Sequence, residues 1–432
     1  RLAYVRLRRS PLTTLLAIAL LVLLLLWLCC HFRSASLVVF SVWQPAAVET
    51  LTLVTLPQDV AQQKGALCLD GSPPSYYIRK AKGSGSRSSW LVTLQGGGWC
   101  WNVSDCYQRS LTDLGSSTFM AKEASFQGVM SRNTTVNPEF HDWNMVMINY
   151  CDGASFSGNL ESPVRFQDST IYFRGSRILN LVVTHLLKAE GLERAKKIIL
   201  NGISAGGLAV YLHGDYIRDL IPAGIPVHCL ADAGFFLDQK NVSGFYHYRT
   251  HMKEILTMQN ALGSLNRNCL KAYGDADKWK CFFAQYAYPH MTTPLFVLNS
   301  AADYWQQWFI LDLRCHPAVC PELLPVLLGQ RSLLYEQATS LVPRHAGDGA
   351  FVSACFAHGQ ASLDDVWTSY RVGGKSVREA FGDWYFGRTT PQESRYLDCD
   401  AGYDCNPSCE KSWSLPFYKK VTDHMKESTP DF

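Results

Sequence analysis

The chain has 432 residues, 47% of them apolar and only 18% charged, so a large core can be buried and general disorder is excluded. Lysine and arginine number 40 against 37 for aspartate and glutamate, and four of the arginines (Arg1, Arg6, Arg8, Arg9) stand at the very N-terminus. The remainder is close to neutral and lacks the concentrated basic face of a nucleic-acid protein, so no nucleic-acid partner is expected.

In chain order, the first feature is residues 12–30, LTTLLAIALLVLLLLWLCC, a 19-residue stretch without charge. A helix needs about 20 predominantly apolar residues to cross a bilayer, whereas the apolar region of a cleavable signal peptide spans about 7–15. Arginines precede the stretch, and only His31 and Arg33 follow it closely. The positive-inside rule puts residues 1–11 in the cytosol and the body in the lumen. The length favours an uncleaved signal-anchor over an unusually long signal peptide, so a type II Golgi membrane protein is one expected placement and the cell wall the other. Residues 31–61 read as a stem, and 62–398 as the globular domain. Residues 399–432 read as a cysteine-containing tail. Three N-x-S/T sequons, at Asn102, Asn133 and Asn241, follow the anchor and are candidate glycosylation sites. Thirteen cysteines also follow it, without a CxxC pair. They are expected to form disulfides in an oxidising compartment rather than to hold zinc, and their odd number leaves at least one thiol free or paired between chains.

Within the body, short apolar runs recur at Trp90–Leu94, Met145–Ile148, Lys197–Leu200, Val227–Leu230 and Leu295–Leu298. Helix-length segments lie between them, such as Phe173–Lys188 with apolar residues at helical spacing. Strands alternating with helices predict an α/β fold around a mostly parallel sheet, whose buried strands read as continuous apolar runs.

The sharpest local signal is Lys197-Ile-Ile-Leu-Asn-Gly-Ile-Ser-Ala-Gly-Gly-Leu-Ala-Val210, an apolar strand running into Gly202-x-Ser204-x-Gly206 and then a helix-like run. That strand–turn–helix context is what a nucleophile elbow requires. Upstream, Trp90-Leu-Val-Thr-Leu-Gln-Gly-Gly-Gly-Trp99 is a strand ending in three glycines, a loop suited to an oxyanion hole. The candidate donors are the backbone N–H groups of Gly98, Trp99 and Ala205. The acid and base should follow in the order Asp, then His. Asp303 follows the run Leu295–Leu298, and His358 ends the strand-like Phe351-Val-Ser-Ala-Cys-Phe-Ala-His. Asp232 is the rival acid but comes one strand too early, so it is expected to accept loop hydrogen bonds beside the site. His316 and His345 lie in polar loops.

Several longer motifs carry a resemblance: Gly96-Gly-Gly-Trp-Cys-Trp-Asn-Val-Ser-Asp-Cys106, Asn149-Tyr-Cys-Asp-Gly-Ala-Ser-Phe-Ser-Gly158, Asn201-Gly-Ile-Ser-Ala-Gly-Gly207, Ala231-Asp-Ala-Gly-Phe-Phe236, Cys355-Phe-Ala-His358 and Gly382-Asp-Trp-Tyr-Phe-Gly-Arg388. Together they resemble the plant pectin acetylesterases, whose superfamily includes the Notum-type carboxylesterases. The resemblance runs from about Gln62 to Cys409, roughly four-fifths of the chain. It implies an α/β-hydrolase-like serine esterase with Ser204, Asp303 and His358 as its triad. Its expected substrate is an acetylated cell-wall polysaccharide, above all acetylated homogalacturonan, with no metal or organic cofactor. A monomer in the secretory pathway or cell wall, tied to a membrane through its N-terminal helix, is expected. Trp101 stands where that family usually carries Asn. The alternatives are a Notum-type esterase of a lipid-acylated protein and a catalytically silent carbohydrate-binding protein on the same fold.

Overall fold

The computed structural model describes residues 50–428 apart from 317, 342–346, 400–404 and 413. The anchor expected at residues 12–30, most of the stem, and His345 lie outside the described residues. Among the described residues, no helix is long and apolar enough to cross a membrane.

Ten strands form one sheet: β1 Leu51–Thr55, β2 Ser75–Arg79, β3 Ser89–Leu94, β4 Glu123–Ala124, β5 Asn144–Ile148, β6 Lys197–Ile203, β7 Val227–Asp232, β8 Leu295–Ser300, β9 Gly349–Ser353 and β10 Arg395–Leu397. Their order across the sheet is β10-β9-β8-β7-β6-β3-β5-β2-β1-β4. Pairing is parallel from β10 through β5 and antiparallel for β2, β1 and β4. All five apolar runs read as strands lie in this parallel part. The fold is α/β around a mostly parallel sheet, as the sequence pattern predicts, and hydrolase-like, as the resemblance implies.

The continuous apolar character of these strands has a direct cause, since both sheet faces are covered. Val92, Val146, Leu200 and Val297 point into one core, with α3 (Gly175–Lys188) and α4 (Ala205–Leu220) packed over it. Leu91, Met145, Ile199 and Phe296 point into the other, under Trp367, Phe381 and Trp384. The helix expected at 173–188 is α3.

The boundary between stem and domain falls earlier than the expected residue 62. β1, within the expected stem, pairs in register with β2 from Thr52↔Ile78 to Thr55↔Ser75. Its mixture of Thr with Leu and Val suits a half-exposed strand near the sheet edge, a pattern too short and mixed to stand out in sequence.

Six disulfides close among the described residues: Cys68–Cys151, Cys100–Cys106, Cys269–Cys281, Cys315–Cys320, Cys355–Cys409 and Cys399–Cys405. They place the body in the oxidising secretory pathway. Cys355–Cys409 ties the cysteine-containing tail to the domain. Cys229 on β7 is the free thiol among the described residues, and it is buried.

Strands β3 and β6 are neighbours, while the chain passes from β3 outward to β5 before returning to β6. The crevice at the carboxyl ends of β3 and β6 is thus a topological switch point, where α/β sheets place their sites. The glycine loop and Ser204 both emerge there.

Candidate active site

Ser204 is the residue between β6 and α4, with φ 59° and ψ −124°. This is strained backbone for a residue with a side chain, and it turns Oγ outward from the sheet edge. The flanking glycines are required sterically. A Cβ at Gly202 would come within 2.1 Å of the Gly206 carbonyl oxygen, and one at Gly206 within 2.1 Å of that of Leu94. The Ser204 N–H donates to the carbonyl of Asp232 at 2.8 Å, tying the turn to β7.

Asp303 caps helix α6 (Tyr304–Phe309), its carboxylate accepting from the N–H groups of Trp305 and Gln306 at 2.9 and 3.1 Å. The same carboxylate lies 2.9 and 3.0 Å from His358 Nδ1. Because a carboxylate only accepts, Nδ1 carries the hydrogen and Nε2 presents its lone pair. Nε2 faces Ser204 Oγ at 2.8 Å. The order serine, imidazole, carboxylate is therefore assembled, with Asp303 fully buried and His358 nearly so.

Asp232 takes a different place. It is buried at the end of β7, and both of its oxygens accept from the N–H of Gln360, with a further bond from Ala361. Burial pushes its carboxyl up to about 6, against which these bonds and the nearby His358 pull downward. It braces the loop that carries His358, as the sequence reading expects. His316 packs against the ring of Tyr418.

The glycine loop crosses over the elbow, and a Cβ at Gly96 would lie 2.9 Å from that of Ser204. Among the described residues, the N–H groups of Gly98, Trp99 and Ala205 have no hydrogen-bond acceptor. Leu208 N–H donates to the Ser204 carbonyl at 2.9 Å, which points the opposite end of that peptide, the Ala205 N–H, out of the helix start. The loop that carries the Gly98 and Trp99 N–H groups and the helix start that carries the Ala205 N–H thus flank Ser204.

Aromatic rings fill the space beyond. Trp99 packs on Phe236, Trp305 and Tyr248 with ring centroids 4.9, 5.4 and 5.8 Å apart. Phe236 and Trp305 in turn approach the His358 ring, both at 6.1 Å. Trp101 leans on Trp99 at 6.0 Å and on His251 at 4.7 Å.

The match to known proteins follows this geometry. The sequence profile described as "Pectinacetylesterase" covers residues 46–410. The chain belongs to the pectinacetylesterase family. It is a carboxylic ester hydrolase. Pectin acetylesterase 5 of Arabidopsis thaliana is 40% identical over 367 residues, covering 81% of this chain and 83% of that protein. The palmitoleoyl-protein carboxylesterase NOTUM of Mus musculus is 30% identical over 368 residues, covering 79% of this chain and 69% of its own. The crystal structure of the Wnt deacylase Notum from Drosophila superposes with a TM-score of 0.72 at 26% identity, over 84% of this chain and 99% of that one.

Within this family fold, the sequons are spread over the surface. Asn102 is the exposed N-cap of α2 (Val103–Ser110), accepting from the Asp105 N–H at 2.9 Å. Asn133 is exposed, and Asn241 half-buried, each closing a local turn through its side-chain oxygen. Sequence reasoning missed the side chains that hold the glycine loop, namely Arg109, Tyr150 and Ser155. Arg109 and Tyr150 bond to the carbonyls of Gly97 and Gly98, and Ser155 accepts from Trp99 Nε1 at 2.8 Å. Tyr150 and Ser155 lie inside the quoted Asn149–Gly158 motif, which was their only trace.

Proposed function

We propose that this chain removes O-acetyl groups from pectin, most naturally acetylated homogalacturonan, using Ser204, His358 and Asp303. The carrying observation is the 2.8 Å contact from His358 Nε2 to Ser204 Oγ, backed by Asp303, in a chain of the pectinacetylesterase family. Ser204 Oγ attacks the acetyl carbonyl as His358 takes its proton. The N–H groups of Gly98, Trp99 and Ala205 receive the oxyanion. Collapse breaks the ester bond, and His358 returns the proton to the departing sugar hydroxyl. Water, deprotonated by the same imidazole, then releases acetate and restores Ser204. Asp303 holds the imidazole tautomer and balances the imidazolium.

The acyl group favoured by this reading is short. Trp99, Phe236 and Tyr248 are buried and packed on one another beside the imidazole, which supports acetyl over the fatty acyl group of the NOTUM relatives. The sequons, the disulfides and the apolar segment at residues 12–30 support a glycosylated protein of the secretory pathway, delivered to the cell wall or held by an N-terminal anchor in the Golgi.

The test is acetate release from acetylated pectin, with p-nitrophenyl acetate and p-nitrophenyl palmitate as acyl-length controls. Wild type should release acetate from pectin and prefer the acetate control. Ser204→Ala should fold normally and lose at least ~10³-fold in kcat. Near wild-type turnover in that variant would remove Ser204 from the mechanism, and preference for the palmitate ester would favour the lipid-acyl reading.

A further inference from the structure

We propose that Arg109 and Tyr150 are positioning residues that aim the oxyanion donors by holding the carbonyl ends of two consecutive peptides in the glycine loop. The inference rests on Gly98 and Trp99 serving as oxyanion donors.

A trans peptide points its C=O and its N–H in opposite directions, and no peptide among the described residues is cis. The orientation of each donor is therefore set by whatever binds the carbonyl at the other end of its peptide. Arg109 Nη2 donates to the Gly97 carbonyl at 2.8 Å, so the Gly98 N–H faces away from Arg109. The Tyr150 hydroxyl donates to the Gly98 carbonyl at 2.8 Å, so the Trp99 N–H faces away from Tyr150. The two holders act from one side, since the Arg109 guanidinium lies 5.0 Å from the centroid of the Tyr150 ring. Two successive carbonyls facing the same side is not an extended-strand arrangement. It depends on the unusual backbone of Gly97 and Gly98, at φ 143° and 66°. The result is a pair of adjacent N–H groups facing one point, a nest suited to an anion.

Each holder is itself held. Tyr150 is fully buried, and its oxygen accepts the Ser155 N–H at 2.9 Å, which directs the phenolic hydrogen toward Gly98. Burial pushes the phenol far above its ordinary range, so it stays a donor throughout the working pH. Arg109 Nε donates to the Leu114 carbonyl at 3.1 Å. Arg109 sits on α2, which Cys100–Cys106 staples back to the end of the glycine loop. Gly153 leaves room for this stack, since a Cβ there would come within 2.5 Å of Cys100 Sγ and 3.3 Å of Arg109 Cδ.

Tyr150→Phe removes the hydroxyl and keeps the ring under Arg109. Deleting an oxyanion donor outright costs about 10²–10³-fold in kcat. Misaiming one should cost less, about 10- to 100-fold on p-nitrophenyl acetate, with KM within about twofold. Affinity for a boronic acid, which becomes a tetrahedral anion on Ser204, should fall by the same factor as kcat, while inhibition by planar acetate stays constant. A merely structural tyrosine would lower the melting temperature without this split. Folded Tyr150→Phe with wild-type kcat and boronate affinity would overturn the proposal. Should Tyr150→Phe not fold, Arg109→Lys carries the same test, because Lys keeps the charge but loses the directed fork; the same split supports the proposal and wild-type kcat overturns it. The small ester keeps this test separate from the pectin reading: wild type that splits p-nitrophenyl acetate and leaves pectin untouched fails that reading without touching this one.

Discussion

Asp232 accepts the backbone N–H of Gln360 on both carboxylate oxygens, at 2.9 and 2.8 Å, only two residues past His358. It thereby fixes the loop on which the imidazole stands, while Asp303 binds the imidazole itself. The two buried acids should separate on mutation. Asp303→Asn should stay folded and lose about 10⁴-fold in kcat, because the imidazole takes the wrong tautomer. Asp232→Asn leaves a backbone donor poorly matched, so it should melt earlier, by about 1–3 kcal/mol, and keep much of its specific activity. Paired thermal melts and kcat measurements decide it, and the reverse pattern would make Asp232 the triad acid.

A pH effect is built in at Asp152, which is buried and accepts from the N–H groups of Ala154 and Phe156. Burial pushes its carboxyl from 3.8 up to about 7, with Arg109 and these bonds opposing. The folded chain therefore keeps a proton that the unfolded chain has already released. The stability from this group is whole below the unfolded value and drains away as pH rises through the folded one. Asp152→Asn cannot ionise, so its melting temperature should gain on wild type as pH goes from about 4 to about 8. A constant difference across that range would contradict the assignment.

Cys355–Cys409 spans 54 residues and anchors the chain three positions before His358, where the Ser300 hydroxyl also binds the Cys355 carbonyl. Closing a loop of that length restricts the unfolded chain by about 4 kcal/mol in the chain-entropy view. Cys409→Ser should melt markedly lower. Because Asp232 braces the same loop from the other side, it should retain esterase activity well below its new melting point. An unchanged melting temperature would show that the link contributes little.

In the secretory pathway, the exposed positions of Asn102 and Asn133 make them the better glycan acceptors, with half-buried Asn241 less so. Glycosidase treatment should increase gel mobility, and Asn102→Gln with Asn133→Gln should abolish most of that shift. Equal mobility before and after treatment would refute it.

Much of the site was readable because its chemistry depends on residue type at fixed spacing. Gly202 and Gly206 mark the elbow, since any Cβ there meets backbone at 2.1 Å. Asp303 and His358 follow in chain order at the ends of apolar strands. The parallel strands were legible because burial on both faces makes them continuous apolar runs. β1 was not, because a short, half-exposed strand of Leu, Thr and Val near the sheet edge resembles a linker. Arg109 and Tyr150 were not either. Their role lies in the direction of two backbone carbonyls, which no spacing of side chains records.

Cys229, the free thiol among the described residues, bears on how the molecule matures. Burial raises its pKa well above 9.0, which removes the thiolate that disulfide exchange requires. Before the sheet closes there is no such protection, and Cys229 competes with twelve cysteines that must find specific mates. Oxidation ahead of collapse invites scrambled isomers, whereas collapse ahead of oxidation hides the odd competitor inside a central strand. A parallel sheet that closes first would thus act as gatekeeper of its own covalent code. Timed alkylation during oxidative refolding should find Cys229 shielded before the last disulfide forms, and Cys229→Ala should widen the range of redox conditions that yield native protein.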